Sequence, residues 1–435
     1  MRFKCAGTLL AALLLFSYTG CDSNSKKDRG DELVFWHSFV AATHPALQQM
    51  INRFHKENPG IRIRHQYVPT GDALVQKLIT AIASGTAPDI AWIHADFLSK
   101  LVETDAIYPI DVFLTGQDSL ELLDFFPALL EGGRWGNRLY ALPMEATSLA
   151  LVYNRDLFRQ AGLNPEHPPS TWTELQNYSK RLTIDTDKDG RIDQFGFYIP
   201  NFPASGNLSV WMNLQFQPFV WQAGGTIADS AGDQVIFNSP AGVEALTLWK
   251  ELFDELDMRA FSLAHDLGFT SQNLAMVMDG PWNLPSYRNM AGVDWAVAPL
   301  PAGSDGRATY LAGEYLTIFK QSDNPQRAWE FVEWFTSPEE QARFSMLSGY
   351  LPVRKSTLEI AEYRQFLNDN PDLKSFIDQI PHARGRRMFD YFNTEINQAL
   401  AEAIEKVLVG NADPYSALTV AADKCNALLI SKRRN

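Results

Sequence analysis

The densest group of metal-type ligands in the chain is a run of aspartates. Asp185, Asp187, Asp189 and Asp193 hold positions 1, 3, 5 and 9 of the stretch that begins at Asp185, with Gly190 at position 6 and Arg191 at position 7. This is the spacing of a calcium-binding loop, in which short carboxylates converge on a hard cation and a glycine makes the sharp turn. Position 12 is Gly196, so the bidentate ligand such a loop needs would come from elsewhere in the fold. Four carboxylates this close repel one another without a cation, yet an exposed Asp-rich turn fits the same residues. Calcium held by Asp185, Asp187, Asp189, Arg191 and Asp193 is expected to be structural, because nothing nearby points to catalysis.

Other chemistry leaves no local signature. There is no Gly-x-Ser-x-Gly elbow, phosphate loop, Gly-x-Gly-x-x-Gly or His-Glu-x-x-His. The eight histidines, at 37, 44, 55, 65, 94, 167, 265 and 382, lack the i, i+4 spacing that puts two on one helix face for a metal. The three cysteines, at 5, 21 and 425, are too far apart for a disulfide framework or a cysteine-rich zinc site. No motif requires a cofactor. Carboxylates are plentiful enough for a glycosidase pair, which is assembled in space rather than in sequence, so an anchored carbohydrate-active hydrolase stays open as an alternative.

The elements that must position these side chains read as alternating strands and helices. Leu33 to Trp36 form an apolar strand, and Leu47, Met50, Ile51 and Phe54 then recur at i, i+3, i+4 and i+7, with Pro45 in the first turn of their helix. Ile61, Ile63, His65 and Tyr67 alternate as a second strand, and Leu74, Leu78, Ala81 and Ile82 mark a helix stopped at Gly85. Pro88 to Ile93 is a third strand. Short connections between such elements predict βαβ units around a mostly parallel sheet. After Pro143 a second region of the same type carries helices near Trp172 to Leu182 and Pro240 to Leu256, with Trp211 and Trp221 flanking an aromatic-rich loop that holds Phe216 and Phe219. Ile396 to Leu408 and the segment capped by Asp413-Pro414 predict two C-terminal helices, the second placing Cys425 on its apolar face. The fold class is α/β in two lobes.

The 435 residues are 46% hydrophobic and 20% charged, a globular composition, and 38 basic against 51 acidic residues give a formal charge of −13. That balance argues against a nucleic-acid partner. Arg2 and Lys4, then the apolar run Ala6 to Phe16, read as an export signal over residues 1–20, too short for a spanning helix of roughly 20 residues. Thr19-Gly20-Cys21 resembles the lipobox of bacterial lipoproteins, with Tyr18 where that pattern usually has Leu. The resemblance implies acylation at Cys21, a tether over 21–30 and, through Asp22, retention at the periplasmic face of the inner membrane. Removing the signal takes two basic residues and no acidic ones, leaving a charge of −15.

Over nearly the whole of the rest, the chain resembles the extracellular solute-binding proteins of bacterial ABC importers, of the maltose-binding-protein-like, sugar or glycerol-3-phosphate type. The matching stretches include Phe35-Trp36-His37-Ser38, Phe54 to Ile61, Ala83 to Ile90, Tyr140 to Pro143, Tyr153 to Leu163, Pro168 to Leu175, Val235 to Pro240, Ala275 to Trp282, Ala298 to Gly303, Ala328 to Pro338 and Gly349 to Lys355. Each is weak alone; their order behind a lipoprotein signal carries the resemblance. It implies two lobes, 31–145 with 312–349 and 146–311 with 350–435, joined by hinge strands around a ligand cleft. The expected partners are a sugar or polyol and the importer's permease subunits, with the chain itself monomeric and not an enzyme.

A pyranose offers an apolar C–H face to a flat aromatic surface and a rim of hydroxyls to polar side chains. Trp36 and His37 follow the first strand and Asp96 the third, where open α/β sheets bind ligands. On the implied crossings stand Glu145, Glu314 and Tyr350. Trp282, after Asp279-Gly280-Pro281, is the foremost stacking candidate, with Trp211 and Trp221 beside it. Trp92, Trp249, Trp329 and Trp334 sit in strand or helix patterns and are expected in the core. The basic cluster Arg384, Arg386 and Arg387 is either a solvated patch or, through Arg387, a contact for a phosphate or carboxylate on the ligand. That choice separates a neutral sugar from glycerol 3-phosphate or an acidic sugar, and a sensory receptor of the same fold remains a third reading.

Overall fold

A computed structural model describes residues 32–114, 122–201, 203–204, 207–385 and 393–433. The expected signal at 1–20, Cys21 with its tether, Arg386 and Arg387 lie outside the described residues.

The strands, in chain order, are β1 (Glu32–His37), β2 (Arg62–Tyr67), β3 (Ile90–His94), β4 (Arg134–Trp135), β5 (Arg138–Leu139), β6 (Leu142–Thr147), β7 (Ala150–Asn154), β8 (Met276–Asp279), β9 (Trp295–Ala298), β10 (Thr309–Ile318) and β11 (Ala383–Gly385). A first sheet has the order β11-β10-β3-β1-β2, with β6 also paired to β10. A second has the order β8-β7-β9, and β4 with β5 forms a small hairpin. Residues Leu33 to His37 of β1, an interior strand, are all buried, whereas β2 at the edge turns Arg62 and Arg64 outward around buried Ile63. These are the continuous and alternating patterns that interior and edge positions demand.

β1 runs parallel to β2 and to β3, as the short βαβ connections predict. Beyond these strands the first sheet departs from the expected mostly parallel arrangement: β10 is parallel to β11 but antiparallel to both β3 and β6. The reason is topological. β6 and β10 are joined through the whole second sheet rather than through one crossover helix, so the constraint that makes βαβ neighbours parallel does not act on them. The second sheet is antiparallel at both pairings.

Ser148 and Leu149 alone link β6 to β7 and carry the chain from one sheet to the other. Two other segments lie alongside. Thr309, opening β10, donates its hydroxyl to Leu149 O at 2.7 Å, and Leu351 exchanges backbone hydrogen bonds of 2.8 Å with Ala146. Gly313 is required here, since a Cβ on it would stand 2.1 Å from Glu145 O.

Helix His44–Glu57 buries Ala46, Leu47, Met50, Ile51 and Phe54, the stripe its periodicity predicts. The C-terminal helices Asn393–Leu408 and Pro414–Arg433 pack on each other and on helices Asn207–Gln222 and Pro240–Glu255. The supposed aromatic-rich loop between Trp211 and Trp221 is helix Asn207–Gln222, with Pro218 inside it. Met212, Phe216, Phe219, Val220 and Trp221 are all buried, so the helix is covered on several sides and shows no amphipathic stripe. Among the described residues, no helix is long and apolar enough to cross a membrane.

Candidate functional site

A cavity of about 390 Å³ opens between the two sheets, near the small end of the ~300–1,000 Å³ range of ligand pockets. From the first sheet come Ser38 beyond β1, Thr70 beyond β2, Trp92 and His94 of β3, and Glu314 of β10. Facing them are Leu208, Trp211 and Leu214 of helix Asn207–Gln222, His265, and Trp282 on the turn after β8. Thr147, Tyr310 to Tyr315 and Tyr350, from the three crossing segments, close it.

The second wall is aromatic. Trp211 and Trp282 meet edge to face, ring centroids 5.8 Å apart at 70°, and His265 lies at 5.1 Å and 30° from Trp211. Asp279, fully buried at the end of β8, holds this wall in place. It accepts Gly280 N and Asn283 Nδ2, each at 2.8 Å, and the Tyr287 hydroxyl. His265 Nε2 stands 3.5 Å from the same carboxylate. Burial is the largest single influence on His265 and lowers its pKa, but the charge and hydrogen bond of Asp279 together with the charge of Asp266 outweigh it and the net direction is upward.

The first wall is built around a carboxyl pair. Glu145 and Glu314 are opposite each other in the β6–β10 register. Trp92 Nε1 donates to Glu145 Oε1 at 3.1 Å, and His94, whose Nε2 bonds Thr70 Oγ1 at 2.9 Å, brings Nδ1 to 3.4 Å from Glu314 Oε1. Burial, then the charge of the neighbouring Glu314, push the Glu145 pKa well up. Burial acts the same way on Glu314, but His94, with the neighbouring Glu145, outweighs it and the net direction is downward. Ser38 Oγ, Thr147 Oγ1 and Glu314 Oε2 are buried around the cavity without a hydrogen-bond partner among the described residues. Such atoms cost free energy unless something bonds them.

The structure thus brings Trp211, Trp282, Glu314 and Tyr350 together at one cavity. It places the other candidates elsewhere. Trp36 is buried on β1 with the Lys77 amine 4.2 Å from its ring, and His37 is turned into a cluster with His44, His65 and Tyr67. Asp96 is half-buried on the turn Ala95–Phe97, outside the lining set to which its neighbour Ala95 belongs. Glu145 has no exposed surface and lies behind Trp92, and Trp221 is core because it is helical rather than in a loop. Arg387 is outside the described residues; Arg384 is exposed on β11. Trp92 is buried, as expected of a core residue, and also borders the cavity. Thr70, His94 and His265 were not anticipated; the position of His94 at the end of β3 was the one available signal, by the same rule that selected Asp96.

In the aspartate loop, Asp185, Asp187 and Asp193 each bring a carboxylate oxygen within 4.8 Å of the others. Asp189 and Arg191 are not in that gathered set; Asp189 Oδ1 instead accepts Arg191 N at 2.9 Å and closes the turn. Asp185 takes Lys188 N at 2.7 Å and Gly190 N at 2.9 Å.

Known proteins share this architecture across the chain. The sn-glycerol-3-phosphate-binding periplasmic protein of Escherichia coli (strain K12) is 25% identical over 413 residues, 91% of this chain and 92% of that one. The cyclic alpha-maltosyl-1,6-maltose binding protein of Arthrobacter globiformis is 27% identical, with a TM-score of 0.77 over 92% of this chain and 98% of that one. UgpB of Mycobacterium tuberculosis, solved with glycerophosphocholine, shares the fold at a TM-score of 0.81 with 23% identity, over 93% and 99% of the two chains. The two-lobed architecture of these proteins is the architecture found here. With residues 41–342 matching the family's sequence pattern, the chain belongs to the bacterial extracellular solute-binding protein family.

Proposed function

We propose that the protein captures a compact, neutral carbohydrate or polyol between its lobes and delivers it to an ABC importer by closing around it. The observation that carries this reading is the cavity itself: flat aromatic rings of Trp92, Trp211 and Trp282 alongside the buried, unpartnered oxygens of Ser38, Thr147 and Glu314. Rings suit the C–H face of a sugar, and the free oxygens suit its hydroxyls. Contact with both lobes gives the ligand a higher affinity for the closed form, which is what shifts the population. The lobes are taken as 31–145 with 312–349 and 146–311 with 350–435.

The charges support neutrality, since the positive charge a protonated His265 would bring to the lining is balanced by the buried Asp279 beside it. Among the described lining residues there is no Lys or Arg, and the one carboxyl is Glu314, which opposes a phosphate or carboxylate on the ligand. A hydrolase reading is disfavoured for the same reason, because the second acid of the pair, Glu145, is wholly buried and has no route to a substrate. Cys21 lipidation at the inner membrane, a monomeric state and the permease subunits as partners complete the reading. Calcium at Asp185, Asp187 and Asp193 is read as structural: it raises the melting temperature, by about 2.7 kcal/mol of stabilisation at a hundred times its dissociation constant, and a melting curve unchanged by calcium and chelator sinks it.

A thermal-shift screen of the protein lacking its signal, against neutral sugars, acidic sugars and glycerol phosphates, tests the main proposal. A neutral sugar should stabilise and be recovered intact; preferential stabilisation by glycerol 3-phosphate refutes neutrality, and turnover of the ligand refutes the binding-protein reading.

A further inference from the structure

The cavity carboxylate is backed by a second carboxyl that the ligand never meets. Glu145 and Glu314 are cross-strand partners at the register shift between Glu314 and Tyr315, within the β6–β10 pairing. Each has one satisfied and one open oxygen. Glu145 Oε1 takes the Trp92 indole N–H and Glu314 Oε1 faces His94, while Oε2 of both is buried and receives no N–H or O–H from the described residues. Two carboxylates so placed would repel in a region of low dielectric, with both lone oxygens undersatisfied. One proton removes both penalties at once.

We propose that Glu145 is a positioning residue: it stays protonated, donates its O–H to the Glu314 carboxylate, and so presents Glu314 to the ligand as a single, fixed hydrogen-bond acceptor. No bond other than the O–H···O contact forms, and the proton is not transferred to the ligand. The surroundings agree. The groups facing the pair are His94 on β3, Tyr315 on β10 and Tyr350 beyond helix Pro338–Ser348, with Glu131 of helix Pro127–Gly132 behind Tyr315 and Tyr310 beside Tyr350. Of these only His94 can supply a positive charge, and it lies against Glu314 rather than Glu145. The proton therefore belongs on Glu145, in the direction that burial and the neighbouring carboxylate push it. A fixed acceptor loses less ordering entropy when a sugar hydroxyl arrives.

The role in ligand capture rests on the binding reading above, but the proton can be read without any ligand. Infrared difference spectra of the unliganded protein, wild type minus Glu145→Gln at neutral pH, should show the C=O stretch of an un-ionised carboxylic acid that the variant lacks. A difference spectrum without that band, from a folded variant, overturns the proposal. Should Glu145→Gln fail to fold, Glu314→Gln replaces it. The acid band must then persist but move, because its acceptor has changed from carboxylate to amide, and an unmoved or missing band overturns the pairing. Against maltotriose and D-tagatose, whichever binds, Glu145→Gln keeps affinity because its amide still donates, whereas Glu145→Leu weakens it roughly tenfold or more. Equal affinity of the two variants refutes the positioning role, and an acid band in a protein that binds no sugar refutes the ligand reading while leaving the pair intact.

Discussion

Trp211 and Trp282 meet edge to face across the cavity's second wall, one on helix Asn207–Gln222 and the other on the turn after β8, with ring centroids 5.8 Å apart. Removing either leaves part of the ligand's apolar face against water. Burial of a large side chain contributes about 1.5–3 kcal/mol, so Trp282→Ala or Trp211→Ala should weaken sugar affinity roughly ten- to hundredfold, measured by calorimetric titration. Trp221→Ala acts differently. With 4% of its surface exposed, its loss should cost about 3–5 kcal/mol of stability. Where the variant remains folded, its affinity should be unchanged.

Asp279 and His265 make a second, pH-dependent element of that wall. The His265 pKa is raised because Asp279 and Asp266 together outweigh burial, so the folded state holds a proton that the unfolded chain gives up first. The sign follows: this contribution is present below the ordinary histidine range near ~6.5 and is lost as pH rises through the higher folded value. Urea unfolding of wild type should show that alkaline loss. Asp279→Asn should remove it, lower stability by about 1–3 kcal/mol through the unsatisfied turn, and weaken sugar binding by freeing Trp282.

His37 works in the opposite sense. Burial, then the neighbouring His65 and His44, lower its pKa from 6.5 to about 3, and Tyr67 rather than an acid completes the cluster. Between those values the unfolded chain binds a proton that the folded chain refuses. Stability must then fall as pH drops below 6.5, by up to about 1.4 kcal/mol per pH unit. His37→Gln should flatten this acid limb between pH 6.5 and 4 in denaturant midpoints. An unchanged limb would show that the His37 cluster does not control acid stability.

Much of the fold is local and therefore legible. The helix His44–Glu57 and strands β1 to β3 follow from local pattern alone, because the helix buries one stripe, β2 alternates, and β1 and β3 are short, continuously buried runs. Helix Asn207–Gln222 does not, since it is buried on several sides and contains Pro218, so pattern and breaker both point away from helix. The site is legible where one residue suffices, as at Trp282 after an apolar strand. It is not legible where partners are distant in sequence. Glu145 looks like a cleft residue until the β6–β10 register puts it behind Glu314. Trp92 is buried as its apolar strand predicts, and what the pattern leaves out is that it also borders the cavity.

Gly313 tests the crossing on which the whole arrangement depends. It lies on β10 opposite Ala146 and lines the cavity one residue before Glu314. A Cβ there would meet the Glu145 carbonyl oxygen at 2.1 Å, a backbone atom that cannot turn aside. Gly313→Ala must therefore push β6 away from β10, and the displacement falls on the residues that place Glu145, Glu314 and Thr147. Overpacking of this kind costs about 1–3 kcal/mol, which should appear as a lower melting temperature together with weaker sugar binding. Gly136 is the control, because a Cβ added there would meet nothing within 4 Å while its φ is +56°. Gly136→Ala should cost stability through backbone strain alone and leave affinity untouched, since no residue of the β4–β5 hairpin belongs to the cavity lining. If Gly313→Ala instead keeps both its melting temperature and its affinity, the close approach of β6 and β10 does not govern the geometry of the cavity.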